Sequence, residues 1–357
     1  MSHIDVAIIG SGVAGLSAAI SLQKLGLNVL VYEKDESFAS RKQGYGMTLT
    51  PSLNGPLSAL GILDACIEKS CVSSCHYIFN QVGDVLGYYG RELQDENIHT
   101  GRSHDGLQDS RSALVENTAK DNKHPSDLKF RDCGGHRGNL RIPRQELRLM
   151  LLKQLLPDTV QWSHELLDYS DLDDHVELTV RSVKDRHEES KQVKALVLIG
   201  ADGIRSNVRR LRDVKLGLLH RSPLTYLGQR SLPTYYLIPM TLTPFICAGV
   251  SVIIGLSSAR HPLINARGFY VVDGTHRMFT MPYEQSKCNT GCDQESSAIT
   301  MWQLSFSGLS EEQAHSLRHM SVSDLIGVAL ERTSSWFDPI PALIRSSIPG
   351  QVWSTGM

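Results

Sequence analysis

Apolar residues recur along this chain with two periods, and the switches between them outline its elements. Ile4–Ile9 is a short apolar run, with Asp5 its one polar residue, of the kind found in a central parallel strand. Residues 14–25 follow with helical spacing through Leu16, Ala19, Ile20 and Leu22, and residues 28–32 are apolar again. The connections are short, so the opening reads strand, helix, strand. A short strand over 47–49 and a helix-like piece over 56–63 come next. Residues 76–90 read as strands through Tyr77, Phe79, Val82, Val85 and Tyr88, whereas 91–139 are polar and poorly periodic. Residues 143–156 predict a helix, with Leu147, Leu151 and Leu155 at four-residue spacing and Pro157 closing it. Residues 176–180 and 193–199 predict a strand pair around the charged hairpin 184–191.

From 224 to 306 the pattern is strand-rich, with strands over 268–272, 277–282 and 299–306. Helix returns over 310–317 and 322–332, the latter with a stripe of Leu325, Ile326 and Ala329. These elements predict an α/β protein: a three-layer, Rossmann-like nucleotide-binding domain interrupted by a β-rich, mostly antiparallel domain. The expected boundaries are 1–75, 136–220 and 307–357 for the first domain, and 76–135 and 221–306 for the second. Residues 231–258 hold no charge, and their length alone permits a membrane helix. Pro239, Pro244, Gly249 and Gly255 interrupt them, so two buried strands joined by a turn at 241–244 are expected, with no stable membrane span.

Composition narrows the function classes. The chain has 357 residues, 41% hydrophobic and 21% charged, as in a folded globular protein. Lys plus Arg number 36 against 38 Asp plus Glu, a balance with no global pull toward nucleic acid. The seven cysteines are odd in number, which favours free thiols in a reducing compartment, and the cytoplasm is expected. The first ten residues lack a basic n-region, which argues against a signal peptide. Cys71 with Cys75, Cys288 with Cys292, and the scattered His261, His276, His315 and His319 match no metal-site spacing, so no metal is expected.

The strongest chemical signal is GSGVAG at 10–15, directly after a predicted strand and at a helix start. Gly10 permits the tight turn, Gly12 lets backbone approach a pyrophosphate, and Gly15 allows helix and strand to pack closely. The amides of Ser11, Gly12, Val13 and Ala14 offer free donors and the positive end of the helix dipole. Glu33 ends the second strand, 23 residues after Gly10, where a carboxylate accepts from adenosine ribose hydroxyls and disfavours a 2′-phosphate. The nucleotide held there is therefore FAD or NAD, not NADP; these residues alone do not choose between the two.

Three further segments make the chain resemble the FAD-dependent aromatic hydroxylases, the single-component flavoprotein monooxygenases related to para-hydroxybenzoate hydroxylase. LIGADGIRSNVR at 198–209 is similar to that family's Asp-Gly signature, with Asp202, Gly203, Arg205, Ser206 and Arg209 matching. IPRQELRLMLL at 142–152 places Arg144 where a family arginine contacts the flavin nucleotide. RKQGYGMTL at 41–49 resembles the segment passing near the isoalloxazine ring, which brings in Arg41, Gln43 and Gly44. Residues 273–285 and 301–306 look like strands of the family's substrate side. The resemblance implies FAD as cofactor, held by Gly10 to Gly15, Glu33 with Lys34, Arg41, Gly44, Arg144, Asp202 and Gly203. It also implies NAD(P)H as co-substrate, O2, and hydroxylation of an aromatic or similar apolar small molecule through a flavin C4a-hydroperoxide. No universal catalytic side chain is implied. Tyr235, Tyr236, Phe245 and Phe279 are candidates to wall an apolar pocket, although such residues are more often plain core.

Bland readings stand beside these. Arg144 could be a surface helix arginine, Asp202 an Asx turn, Arg205 and Arg209 salt-bridge residues, and Arg41 part of an ordinary loop. The family's third signature, a Gly-Asp segment after the β-rich domain, has no counterpart here. A chain ending at Met357 is therefore expected to lack one wall of the flavin site and a strand of the central sheet, and to be weak or inactive by itself. Two alternatives remain: a non-catalytic binding protein that keeps the fold, and an FAD oxidoreductase without oxygen insertion.

Overall fold

The computed structural model describes residues 3–40, 44–71, 73, 75–90, 139–184, 190–216, 224–226, 245–247, 249–264, 267–285 and 298–356. The opening is realised as β1 (Ile4–Ile9), α1 (Val13–Lys24) and β2 (Val29–Glu33). Next come β3 (Gly46–Leu49), α2 (Pro56–Ala59), α3 (Leu63–Lys69), β4 (Cys75–Asn80), β5 (Val85–Gly90), β6 (Leu140–Pro143) and α4 (Arg144–Leu152). They are followed by β7 (Val160–Trp162), β8 (His164–Asp171), β9 (Val176–Ser182), β10 (Lys191–Gly200) and α5 (Asn207–Lys215). The remainder is β11 (Leu224–Tyr226), β12 (Phe245–Cys247), β13 (Ser251–Ser257), β14 (Arg267–Val272), β15 (His276–Gln285), β16 (Ala298–Phe306), α6 (Glu311–Leu317), α7 (Val322–Arg332), α8 (Ile340–Arg345) and β17 (Ser347–Gly356).

The first sheet runs β7-β2-β1-β10-β9-β8. Its first four strands are parallel, and β9 and β8 are antiparallel. β1 is apolar from Val6 to Ile9 because both its faces are covered there. Val6 and Ile8 pack with Ala19 of α1. Ala7 and Ile9 pack with Leu166, Leu178 and Val180 of β8 and β9 and with Leu211 of α5. β10 serves two partners: 191–195 pair with β9, and 195–200 pair with β1. The antiparallel strands thus cover the second face of the parallel ones, giving helix, sheet and strand layers. Among the described residues no strand takes the other edge of 196–200, where Leu196 and Val197 are each 49% exposed.

The second sheet runs β17-β13-β16-β15-β14-β4-β5 and is antiparallel except between β14 and β4. One face joins Phe79, Phe269, Met278, Trp302 and Leu304 to Leu317, Leu325, Ala329, Leu343 and Ile344 of the last three helices. This corrects the expected boundary. Residues 307–357 were assigned to the nucleotide-binding domain, yet α6, α7 and α8 lay their apolar stripes on the second sheet, and β17 pairs with β13. A helical stripe states that a face is buried, not which layer buries it. Of the uncharged run, β13 is buried along its whole length, whereas 231–244, with Tyr235, Tyr236, Pro239 and Pro244, lie outside the described residues. No helix among the described residues is long and apolar enough to cross a membrane.

The two sheets meet through the ribbon of β3 and β6. The Gly46 N–H donates to Met301 Sδ at 3.0 Å, and a Cβ on Gly46 would lie 2.8 Å from Met281 Sδ. His76 of β4 is buried and stacks on Phe279 with ring centroids 6.1 Å apart. Burial, and then the charge of Arg141 on β6, lower its pKa from 6.5 to about 4.

Between those two values the unfolded chain takes up a proton that the folded one refuses. The stability contribution is therefore complete above pH 6.5 and is lost as pH falls toward about 4, by up to about 3 kcal/mol. Urea-unfolding midpoints measured across that window should fall less steeply for His76→Gln than for the wild type; parallel slopes would contradict this.

Candidate functional site

The turn between β1 and α1 needs two of its glycines for folding and one for something else. Gly10 has φ +104°, and a Cβ there would sit 2.6 Å from the Ala201 carbonyl oxygen. A Cβ on Gly15 would sit 2.0 Å from the Gly10 carbonyl oxygen, so α1 rests directly on the turn. Gly12 has an ordinary φ of −70°, and the nearest heavy atom to an added Cβ is Arg144 Nη2 at 3.9 Å. Nothing in the packing among the described residues demands glycine there. Gly12 is the N-cap of α1 and no side chain caps the helix, so its first amides lack intrahelical partners.

Ser11 is fully buried. Its N–H donates to Glu33 Oε2 at 2.7 Å, and its hydroxyl donates to the same oxygen at 2.9 Å. Glu33 Oε1 accepts from the Asp35 N–H at 3.1 Å, and the residue is only 6% exposed. The acid that ends β2 thus anchors the glycine loop as well as standing where a ribose is expected. Lys34, beside it, is exposed.

Arg148 completes this network. Its Nε and Nη2 donate to the Ser11 carbonyl and hydroxyl, each at 3.3 Å, and Nη1 donates to Gln145 Oε1 at 2.8 Å. Its guanidinium lies 5.2 Å from the centre of the Phe38 ring. No motif points to Arg148. The one hint in the sequence is a charge set inside the apolar run 147–152.

Arg144 and Arg148 are one helical turn apart and share a face of α4. Leu147, Met150 and Leu151 fasten that helix to Leu16 and Ile20 of α1. Among the described residues the Arg144 guanidinium makes no hydrogen bond or ion pair, while its backbone N–H donates to the Tyr45 carbonyl at 3.0 Å. Gly44 is buried, and a Cβ there would lie 3.0 Å from Gln145 Cγ. Arg41 and Gln43 lie outside the described residues.

At the end of β10, Asp202 Oδ2 accepts from the amides of Asn207 and Val208 at 2.6 and 3.2 Å, capping α5. Its Oδ1 is buried with no partner. Gly203 follows with φ +83° and is exposed, as is Arg205. Arg209 donates to the Ile204 carbonyl, which gives it a local role in this turn. In place of the Asx turn that the sequence allowed, one oxygen caps α5, while the other has no partner among the described residues. It lies beside Gly10, whose Cβ position is 2.9 Å from Asp202 Cα.

The turn thus presents helix-start amides, a guanidinium without a protein partner, and a carboxylate oxygen without one. Such a set suits a pyrophosphate joined to hydroxyl-bearing groups. A sequence profile of the FAD binding domain family matches residues 3–222, which contain all of these groups. The chain belongs to that family. FAD is the cofactor this family binds, and the orphaned Asp202 oxygen and the clearance over Gly12 fit it.

The dual trans-enoyl reductase/FAD-dependent monooxygenase tazHJ of Aspergillus terreus is 29% identical over 209 residues, covering 58% of this chain and 24% of that protein. The 3-hydroxybenzoate 6-hydroxylase 1 of Aquipseudomonas alcaligenes is 25% identical over 213 residues, covering 58% and 42%. The chain spans less than half the length of these curated relatives. The crystal structure of Klebsiella pneumoniae HpxO with FAD and uric acid shares the fold, with a TM-score of 0.62 at 18% identity, covering all of this chain and 68% of that one.

The unequal demands on the glycines make a test. Gly15→Ala forces a side chain against backbone and should cost about 1–3 kcal/mol or more in unfolding free energy. Gly12→Ala should leave the stability of the flavin-free protein within about 1 kcal/mol but weaken FAD binding, read by flavin fluorescence titration. Loss of stability at Gly12, or tolerance at Gly15, would contradict these roles.

Proposed function

We propose that the chain forms the cofactor-binding and substrate-facing part of an FAD-dependent monooxygenase. The reaction is hydroxylation of an aromatic or similar apolar small molecule, with NAD(P)H and O2 as co-substrates. The observation that carries this reading is the Arg144 guanidinium standing over Gly12 without a protein partner. The amides of Gly12, Val13 and Ala14 bind the pyrophosphate with Arg144, because backbone donors and a fixed guanidinium fork answer adjacent phosphate oxygens together. Glu33 and Lys34 face the adenosine end. Asp202 Oδ1 and the Gly203 backbone hold the linking sugar alcohol, and Gly44 lies toward the ring end.

When bound, FAD supplies the redox chemistry, taking electrons from NAD(P)H and delivering them to O2. The chain's own task is to orient substrate and exclude water. The face of the second sheet that carries Phe279, Met281 and Met301 packs toward β3, and this supports an apolar, water-poor floor. Tyr270 stacks on Phe279 with centroids 4.8 Å apart, an aromatic surface suited to a flat ring. The molecules in the relatives' names, 3-hydroxybenzoate for one and uric acid bound with FAD for the other, are flat rings.

The test is reconstitution of the purified chain with FAD, then NAD(P)H oxidation with phenolic substrates under isotopically labelled dioxygen. Retained flavin is expected, with slow turnover that places label in the product. A protein that takes up no flavin would overturn the reading as a whole. Flavin uptake and NAD(P)H oxidation without label in the product would replace it with an oxidoreductase that does not insert oxygen.

A further inference from the structure

The glycine loop is shaped by a residue outside the fingerprint. Arg148 is 2% exposed and lies beneath the loop, on the side of the core. Its Nε donates to the Ser11 carbonyl, and its Nη2 to the Ser11 hydroxyl. The Ser11–Gly12 peptide is trans, so it is planar with its C=O and N–H pointing in opposite directions. Fixing the carbonyl toward the buried guanidinium turns the Gly12 N–H outward, away from the core.

Ser11 has no freedom to undo this. Its N–H and hydroxyl are both held by Glu33 Oε2. Arg148 is itself fixed by the Gln145 side chain and the Phe38 ring. The orientation of the Gly12 N–H is thus set from below, through Ser11.

We infer that Arg148 is a cofactor-positioning residue: by holding the Ser11 carbonyl it aims the Gly12 N–H at the phosphates. This rests on the nucleotide reading of the preceding section. Arg144 and Arg148 then divide the work along one helix face. Arg144 meets the ligand directly, whereas Arg148 touches only protein and acts through Ser11. A lysine at 148 retains the charge but lacks the fork needed to hold carbonyl, hydroxyl and amide oxygens together.

The distinguishing experiment compares ADP with adenosine, because only ADP carries phosphates. Equilibrium binding of each to the flavin-free full chain is measured for the wild type, Arg148→Met and Arg148→Lys. The expected result is a loss of ADP affinity of roughly ten-fold or more in both variants, with adenosine affinity unchanged. Unaltered ADP binding, or equal weakening of ADP and adenosine, would overturn the role. If Arg148→Met does not fold, Arg148→Lys decides by the same two criteria. A wild type that binds neither ligand would instead remove the nucleotide reading on which this inference stands.

Discussion

The last residue of β2 brings a carboxylate into the interior of the first domain, and the shape of the site follows from how that carboxylate is answered. An isolated buried charge would cost several kcal/mol. Glu33 avoids this by accepting from Ser11 twice and from the Asp35 amide. Ser11 in turn is held from the other side by Arg148. Acid, serine and arginine thus form one connected polar network inside an apolar shell. Such networks favour a single geometry because each broken bond would leave a buried polar group unsatisfied. The glycine turn rides on this network, so its amides are placed before any nucleotide arrives.

The rest of the first domain serves that placement. Leucines and a methionine on α4 lock it against α1, which directs Arg144 and Arg148 at the same loop. The crowding of Gly10 and Gly15 ties the turn to the end of β10 and to the helix start. Because Asp202 follows the end of β10 by two residues, the strand that closes the turn delivers the second polar group. The second sheet takes part through β3, whose Gly46 sits on two methionine sulfurs. The glycine turn and the second sheet are thus joined through the β3 and β6 ribbon.

Local features were legible in the sequence, and long-range ones were not. The run 4–9, the glycines and Glu33 announced strand, turn and acid because each is fixed by residues close in sequence. The two helices after residue 309 were also legible, but their layer was not, since their apolar stripes are covered by strands far away in the chain. The strands β7 and β8 went unread because the mixed polar pattern of 160–171 reflects one half-exposed face. Arg148 was missed for a similar reason. Its partners lie 137 residues away at Ser11, and only the folded helix pair brings them together. For Asp202 the sequence indicated a turn residue, and only the fold shows one oxygen capping α5 while the other has no partner among the described residues.

The central claim is that the loop is ordered by Glu33 and Arg148 in the absence of nucleotide. Amide hydrogen exchange at Ser11 in the flavin-free protein tests it most directly. Exchange as slow as that of the neighbouring β1 core amides is predicted, with little change when ADP is added. Fast exchange at Ser11 that becomes protected only on adding ADP would show that the ligand, and not the buried network, builds the site.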